Sequence, residues 1–180
     1  MMAYAVFLRG VNVGGINLKM ADVRATISRL PVSDVSTLLA SGNIVLRSEL
    51  DAAELKETIQ TALRTAFGYD AWVIVMTAPD VAATIDACPY PSDDPSTHSY
   101  VTLSSDPAVL DELWDLAAAD GTEHTRLSPF ATAWLAPVGA TLDSAMSKAT
   151  GKAKFKATTT TRNLRTMLKV KAAADKLATR

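Results

Sequence analysis

Arg9, Asn12, Gly14 and Gly15, within the run Arg9-Gly10-Val11-Asn12-Val13-Gly14-Gly15-Ile16-Asn17, are the residues of this 180-residue chain best suited to holding a ligand. The run joins an apolar, strand-like segment (3–8) to a helix-like one (19–30). Backbone rich in glycine and asparagine reaches positive φ and can turn several N–H groups to one side. A helix that starts just beyond adds unpaired donors and a partial positive charge, so the chemistry this turn suits is anion binding. Arg9 and Lys19 would supply full charges. The familiar nucleotide loops do not fit. Gly10 and Gly15 keep the glycine spacing of a P-loop, but Ile16 stands where that loop needs lysine, and G-x-G-x-x-G is absent. The competing reading is a packing turn that lets the helix approach its strand.

Two further polar segments could join this one. Ser41-Gly42-Asn43 separates the strand-like runs 35–40 and 43–47. If the first and third strands are antiparallel neighbours, Ser41 and Asn43 lie at the sheet edge where Arg9 and Asn12 emerge; a plain hairpin turn accounts for the same residues. Thr158-Thr159-Thr160-Thr161-Arg162-Asn163 precedes a final helix read over 162–178. Its hydroxyls either cap that helix or hold an anion, with Arg162 and Asn163 as the ligand-facing pair. Acid–base groups are scarce. His98, His124 and Cys88 have no metal-ligand spacing and no Ser-His-Asp order can be built, so no metal or cofactor is expected and no catalytic residue is assigned.

The elements that must position these residues follow from periodicity and punctuation. A strand (4–8) leads to a helix with the stripe Met20, Val23, Ile27 and Leu30, capped by Asn17 and stopped by Pro31. After the hairpin, Asp51 and Glu54 form a capping box for a helix carrying Leu55, Ile59, Leu63 and Phe67, which Gly68 ends before a strand at 71–76. The order β-α-β-β-α-β is the split βαβ, or ferredoxin-like, arrangement. A short helix (79–87) and a proline-rich linker then lead to a second copy of the same order. It comprises a strand (98–103), a helix opened by Asp106-Pro107 with Leu110, Leu113, Trp114 and Ala117 inward, and a hairpin (123–127 and 131–136). A short helix capped by Thr141 and carrying Leu142, Ala145 and Met146, a strand at 154–158 and the final helix complete it. The expected fold is α+β: two ferredoxin-like halves, 1–78 and 79–180, with mostly antiparallel sheets and a basic amphipathic C-terminal helix.

Bulk properties agree with a soluble globular protein. Hydrophobic residues are 48% and charged residues 21% of the chain. No apolar run is long enough to span a bilayer, no basic leader precedes the first strand, and a single cysteine fits a reducing compartment, so a cytoplasmic location is expected. The net charge of −1 hides an asymmetry: residues 1–147 carry 8 Lys/Arg against 18 Asp/Glu, and residues 148–180 carry 10 against one. Such a basic segment either docks on the acidic body or contacts nucleic acid. The stripe Leu164, Met167, Val170, Ala174 and Leu177 points to docking.

With a strand followed by RGVNVGGIN, then LLASGNIVL, then TTTTRNLRTMLKV, the chain resembles the bacterial family called domain of unknown function 1697 (DUF1697). The positions that carry the resemblance are Arg9, Gly10, Asn12, Gly14, Gly15, Ser41, Gly42, Asn43, Thr161, Arg162, Asn163 and Thr166; Leu164 departs from the aromatic residue expected after Asn163. The resemblance implies a compact α+β protein of this size, and it brings no reaction, cofactor or partner. Three functions compete: binding of a small phosphate- or carboxylate-bearing ligand by Arg9, Asn12, Gly14, Gly15, Lys19, Ser41, Asn43, Arg162 and Asn163; nucleic-acid binding through the basic C-terminal segment; and a structural or protein-partner role. Ferredoxin-like sheets that bind RNA display aromatics on their central strands, and no such run occurs here.

Overall fold

An apolar run with alternating sides makes the first strand central. β1 (Met2–Arg9) is followed by α1 (Met20–Ile27), β2 (Val32–Leu38), β3 (Asn43–Ser48), α2 (Ala52–Phe67) and β4 (Trp72–Thr77). β1 is antiparallel to both β3 and β4, and β2 pairs with β3 at the edge, giving the order β2-β3-β1-β4. The computed structural model describes residues 1–9 and 17–180. One face of β1, Tyr4, Val6 and Leu8, packs with Ile44, Leu46 and Val73 against Val23, Ile27, Leu55, Ile59 and Leu63 of the two helices. Ala5 and Phe7 on the other face are buried too, as an unbroken apolar strand requires.

α3 (Ala78–Asp86) leads to β5 (Thr97–Ser104), α4 (Pro107–Asp120), β6 (His124–Ser128), β7 (Ala131–Pro137), α5 (Ala145–Thr150), α6 (Ala153–Lys156), β8 (Thr159–Asn163) and α7 (Leu164–Ala178). The second sheet has the order β6-β7-β5-β8, so its first strand is again central with its third and fourth strands as neighbours. Two four-stranded antiparallel sheets of the same topology result, as the element order predicts. The chain divides into one compact unit of Met1–Ala82 with Lys169–Arg180 and another of Ala83–Leu168. Trp134, Leu110, Leu113, Met146 and Phe155 centre the second unit's core.

Several local expectations are met for the reasons given. Asp51 accepts from the amides of Ala53 and Glu54 at 2.9 Å each, and the Asp51 amide donates to Glu54 Oε2 at 3.3 Å. Gly68 and Gly121 end their helices in the left-handed region at φ +63° and +70°. Asp106 caps α4 with Pro107 in its first turn.

Other details differ. Asn17 does not cap α1: the cap position is Lys19, without a side-chain bond, two residues beyond Asn17 and after the buried Leu18. The strand expected at 154–158 is the short helix α6, and the threonine run forms β8 instead. β-branched residues fit a pleated ladder, and Thr159–Asn163 pairs with Tyr100–Ser104. Thr141 opens only a 3-10 turn and leaves Leu142 84% exposed, while Ser144 caps α5 through the Ser147 amide.

Candidate functional site

β1 delivers Arg9 to the end of the sheet where the β2–β3 turn also lies. Phe7 is opposite Asn43, and the Leu8 amide donates to the Gly42 carbonyl at 2.8 Å. Arg9 is half-buried beside Trp72 in the ladder, and burial pushes its guanidinium pKa down. A guanidinium remains cationic at neutral pH even so, and a partly dehydrated cation favours an anionic neighbour. β2 is parallel to β1, and α1 returns the chain to the start of β2. Lys19, exposed at the head of α1, therefore belongs to the same end of the sheet as Arg9.

The turn between β2 and β3 is fixed by Asn43, which is fully buried. Its amide nitrogen donates to the Leu38 carbonyl and to Ser41 Oγ, both at 2.9 Å. Both amide protons are thus spent inside the hairpin. Leu39 sits at φ +60° and Gly42 at φ +79°, and a bulky residue in the left-handed region is strained. Asn43 therefore holds a strained turn in shape and fixes the Ser41 hydroxyl, with no amide proton left to offer a ligand.

The remaining candidates divide in two. Asn12, Gly14 and Gly15 lie outside the described residues. Arg162 and Asn163 belong to β8 of the second unit. Arg162 is buried and donates through Nη1 to Thr160 Oγ1 at 2.6 Å and to the Thr161 carbonyl at 2.9 Å. Asn163 Oδ1 accepts from the Arg165 amide at 2.9 Å, so the capping expected of the threonines falls to Asn163. Arg9, Ser41, Asn43 and Lys19 share one end of the first sheet.

The sequence reading missed a buried polar chain in the second unit. Trp134 Nε1 donates to Thr102 Oγ1 at 3.0 Å, and Thr102 Oγ1 lies 2.8 Å from Thr161 Oγ1. Trp134 also stacks on Tyr100 with ring centroids 4.7 Å apart. Thr102 and Thr161 meet only because they are opposite one another in the β5–β8 ladder, so no spacing along the sequence signals the contact. His124 has Nδ1 2.6 Å from the Thr122 carbonyl and its ring edge-on to Trp114, a structural setting. Among the described residues no group of three His, Cys, Asp or Glu could hold a metal ion, and no helix is long and apolar enough to cross a membrane.

The class of protein is therefore a tandem of two split βαβ units, with a polar corner at the β1 exit of the first. A family model described as "Protein of unknown function (DUF1697)" matches residues 1–129, and the chain belongs to that family. The third resembling motif, in β8 and α7, lies beyond the matched stretch. Among solved structures, the conserved bacterial protein SP0830 from Streptococcus pneumoniae is similar at 21% identity, with 95% of this chain and 97% of that one covered and a TM-score of 0.74, which shows a shared fold. An unknown protein from Galdieria sulphuraria aligns over 90% of this chain and 96% of its own at 14% identity, with a TM-score of 0.26. No match was found among curated proteins.

Proposed function

We propose that this protein binds a small anionic ligand, phosphate- or carboxylate-bearing, where β1 exits the first sheet. Arg9 supplies the principal charge, Lys19 a second, and Ser41 a hydroxyl positioned by Asn43. Asn12, Gly14 and Gly15 of the connecting turn supply backbone donors. The observation that carries the reading is the Leu8–Gly42 bond, which ties the half-buried Arg9 to the strained turn bearing Ser41 and Asn43. Strain held by a buried amide is expected where a turn has a task beyond reversing the chain. Burial of both faces of β1 weighs against stacking of nucleic-acid bases on the central strand. Binding is the whole of the proposal; no reaction is attached to it.

The test is a thermal-shift and calorimetric screen with inorganic phosphate, AMP, ribose 5-phosphate and citrate. A ligand at one hundred times its Kd stabilises the fold by about 2.7 kcal/mol. At least one probe should do so, and Arg9→Gln should weaken it by roughly ten- to a hundredfold, the worth of one charge-assisted bond. Arg162→Gln and Asn163→Ala test separately whether the second unit's candidates contribute. No stabilisation by any probe, or equal stabilisation of Arg9→Gln, ends the reading.

A further inference from the structure

A cationic hollow lies in the first unit, beside the outer edge of its sheet. It has a volume of about 640 Å³ and is walled by Arg24 and Ser28 at the end of α1, by Asp34 and Ser36 of β2, and by Lys176 and Arg180 at the end of α7. Its floor is apolar, made by Val35, Val45 and Leu177, all buried. That volume falls within the range of small-molecule sites, which pair an apolar floor with a few convergent polar groups.

Charge and backbone both single the place out. Three cationic side chains face one carboxylate side chain. Arg24 and Lys176 form no ion pair among the described residues, and Arg180 Nη1 stays 3.9 Å from Asp34 Oδ1, beyond hydrogen-bond reach. Asp34 itself stands at φ +54°, inside a bulge where β2 spends an extra residue between Ser33, opposite Arg47, and Ser36, opposite Val45. Bulges of this kind re-aim side chains and recur beside binding sites. Arg47, one ladder step from Val45 and on the same face of β3, has a buried Nε without a partner. A guanidinium so placed adds positive potential to the hollow's flank.

We infer that this hollow binds a small organic phosphate: the phosphate between Arg24, Lys176 and Arg180, the apolar or ring body on Val35, Val45 and Leu177, and a ligand hydroxyl on Asp34. The bulge argues against an extended peptide as occupant, since it interrupts the regular edge that strand addition needs. This site is separate from the Arg9 corner and does not rest on it.

An NMR titration with phenyl phosphate, with phenol and inorganic phosphate as controls, tests the inference. Saturable shifts should appear at the amides of Ser28, Val35, Ser36 and Lys176. The double variant Arg24→Ala/Lys176→Ala should bind about tenfold or more weakly, from loss of two charge-assisted contacts. Both positions are exposed, so the fold should be kept. Arg9→Gln should leave these shifts unchanged, which separates this site from the one proposed above. No saturation by ~10 mM, a Kd too weak for two charged contacts, overturns the inference. Equal binding of phenol, or binding indifferent to the double variant, overturns it as well. So does a double variant that self-associates through β2 while still binding phenyl phosphate, because the cations would then only guard an edge.

Discussion

Asn43 shows how one buried amide can decide the shape of a turn. Its two donors satisfy the Leu38 carbonyl and Ser41 Oγ at 2.9 Å, in a segment where Leu39 is held at positive φ. Asn43→Ala removes both bonds and takes the amide donor from the half-buried Leu38 carbonyl, at a cost of about 1–3 kcal/mol measurable by urea denaturation. Asn43→Asp should cost more at neutral pH, since it offers acceptors where donors are required. A loss under ~0.5 kcal/mol, the scale of an ordinary surface change, would show that the turn holds itself without this side chain. A second residue sets a pH dependence. Asp94 Oδ1 accepts from the Ser96 hydroxyl at 2.6 Å, the Ser96 amide at 2.7 Å and the Thr97 amide at 3.1 Å, and these bonds hold its carboxyl below the usual aspartate pKa. A depressed folded pKa means the linker is tightened above the unfolded value and loosened as pH falls through the folded one. Amide exchange at Ser96 and Thr97 should therefore quicken on acidification beyond its intrinsic trend, and Asp94→Asn should abolish that extra dependence. The sequence marks Asn43 as a turn former and a candidate ligand contact, and Asp94 only by its place in a proline-rich linker. Where an amide's protons point depends on strand register, which one-dimensional spacing does not contain.

At the scale of elements, residues with a single structural use were legible. The Asp51–Glu54 box, Pro107 in a first turn and glycines at Gly68 and Gly121 each name their place, because no other backbone setting suits them as well. Residues with two uses misled. Threonine serves both helix caps and strands, so Thr159 to Thr161 reads as a cap until the ladder with β5 is seen. Lys154-Phe155-Lys156 alternates like a strand, yet burying Phe155 once in a single turn satisfies the same pattern. Polar contacts between elements were not legible, and Arg126 illustrates it. Its guanidinium donates to the Ser128 carbonyl at 2.9 Å, to Asp111 Oδ1 at 3.0 Å and to the Pro129 carbonyl at 3.1 Å, clamping the β6–β7 hairpin to α4. Arg126→Ala should cost about 1–3 kcal/mol and speed exchange across β6. Lysine at 126 should recover little of this, because one ammonium cannot span these acceptors and the Pro107 carbonyl that Nη2 also reaches at 3.4 Å. Full rescue by lysine would mean that only the Asp111 charge pair matters.

For the whole molecule, the repeated strand order follows from the repeated element order, but the division of the chain does not. The first unit takes Lys169–Arg180 as well as Met1–Ala82, so it is assembled from segments far apart in sequence. The stripe on α7 explains why this is stable. Leu164, Met167, Val170, Ala174 and Leu177, spaced by three and four, are all buried, and the last three fall in the part that joins the first unit. Val45 of β3 and Leu177 share the floor of one hollow, which links that helix end to the sheet. Val170 and Leu177 contribute roughly 1.5–3 kcal/mol each by burial, so removing residues 169–180 should cost roughly 3–6 kcal/mol. Set against a typical total of about 5–15 kcal/mol, that loss is enough to unsettle the first unit. A chain ending at Leu168 should therefore show faster hydrogen exchange at Ser36 and Val45 and a lower urea midpoint. The double variant Val170→Ala/Leu177→Ala should reproduce the effect in the full-length chain, which separates lost packing from lost chain length. Unchanged protection in β2 and β3 of the shortened chain would mean that Met1–Ala82 closes its own core, and that the basic helix is an appendage to it.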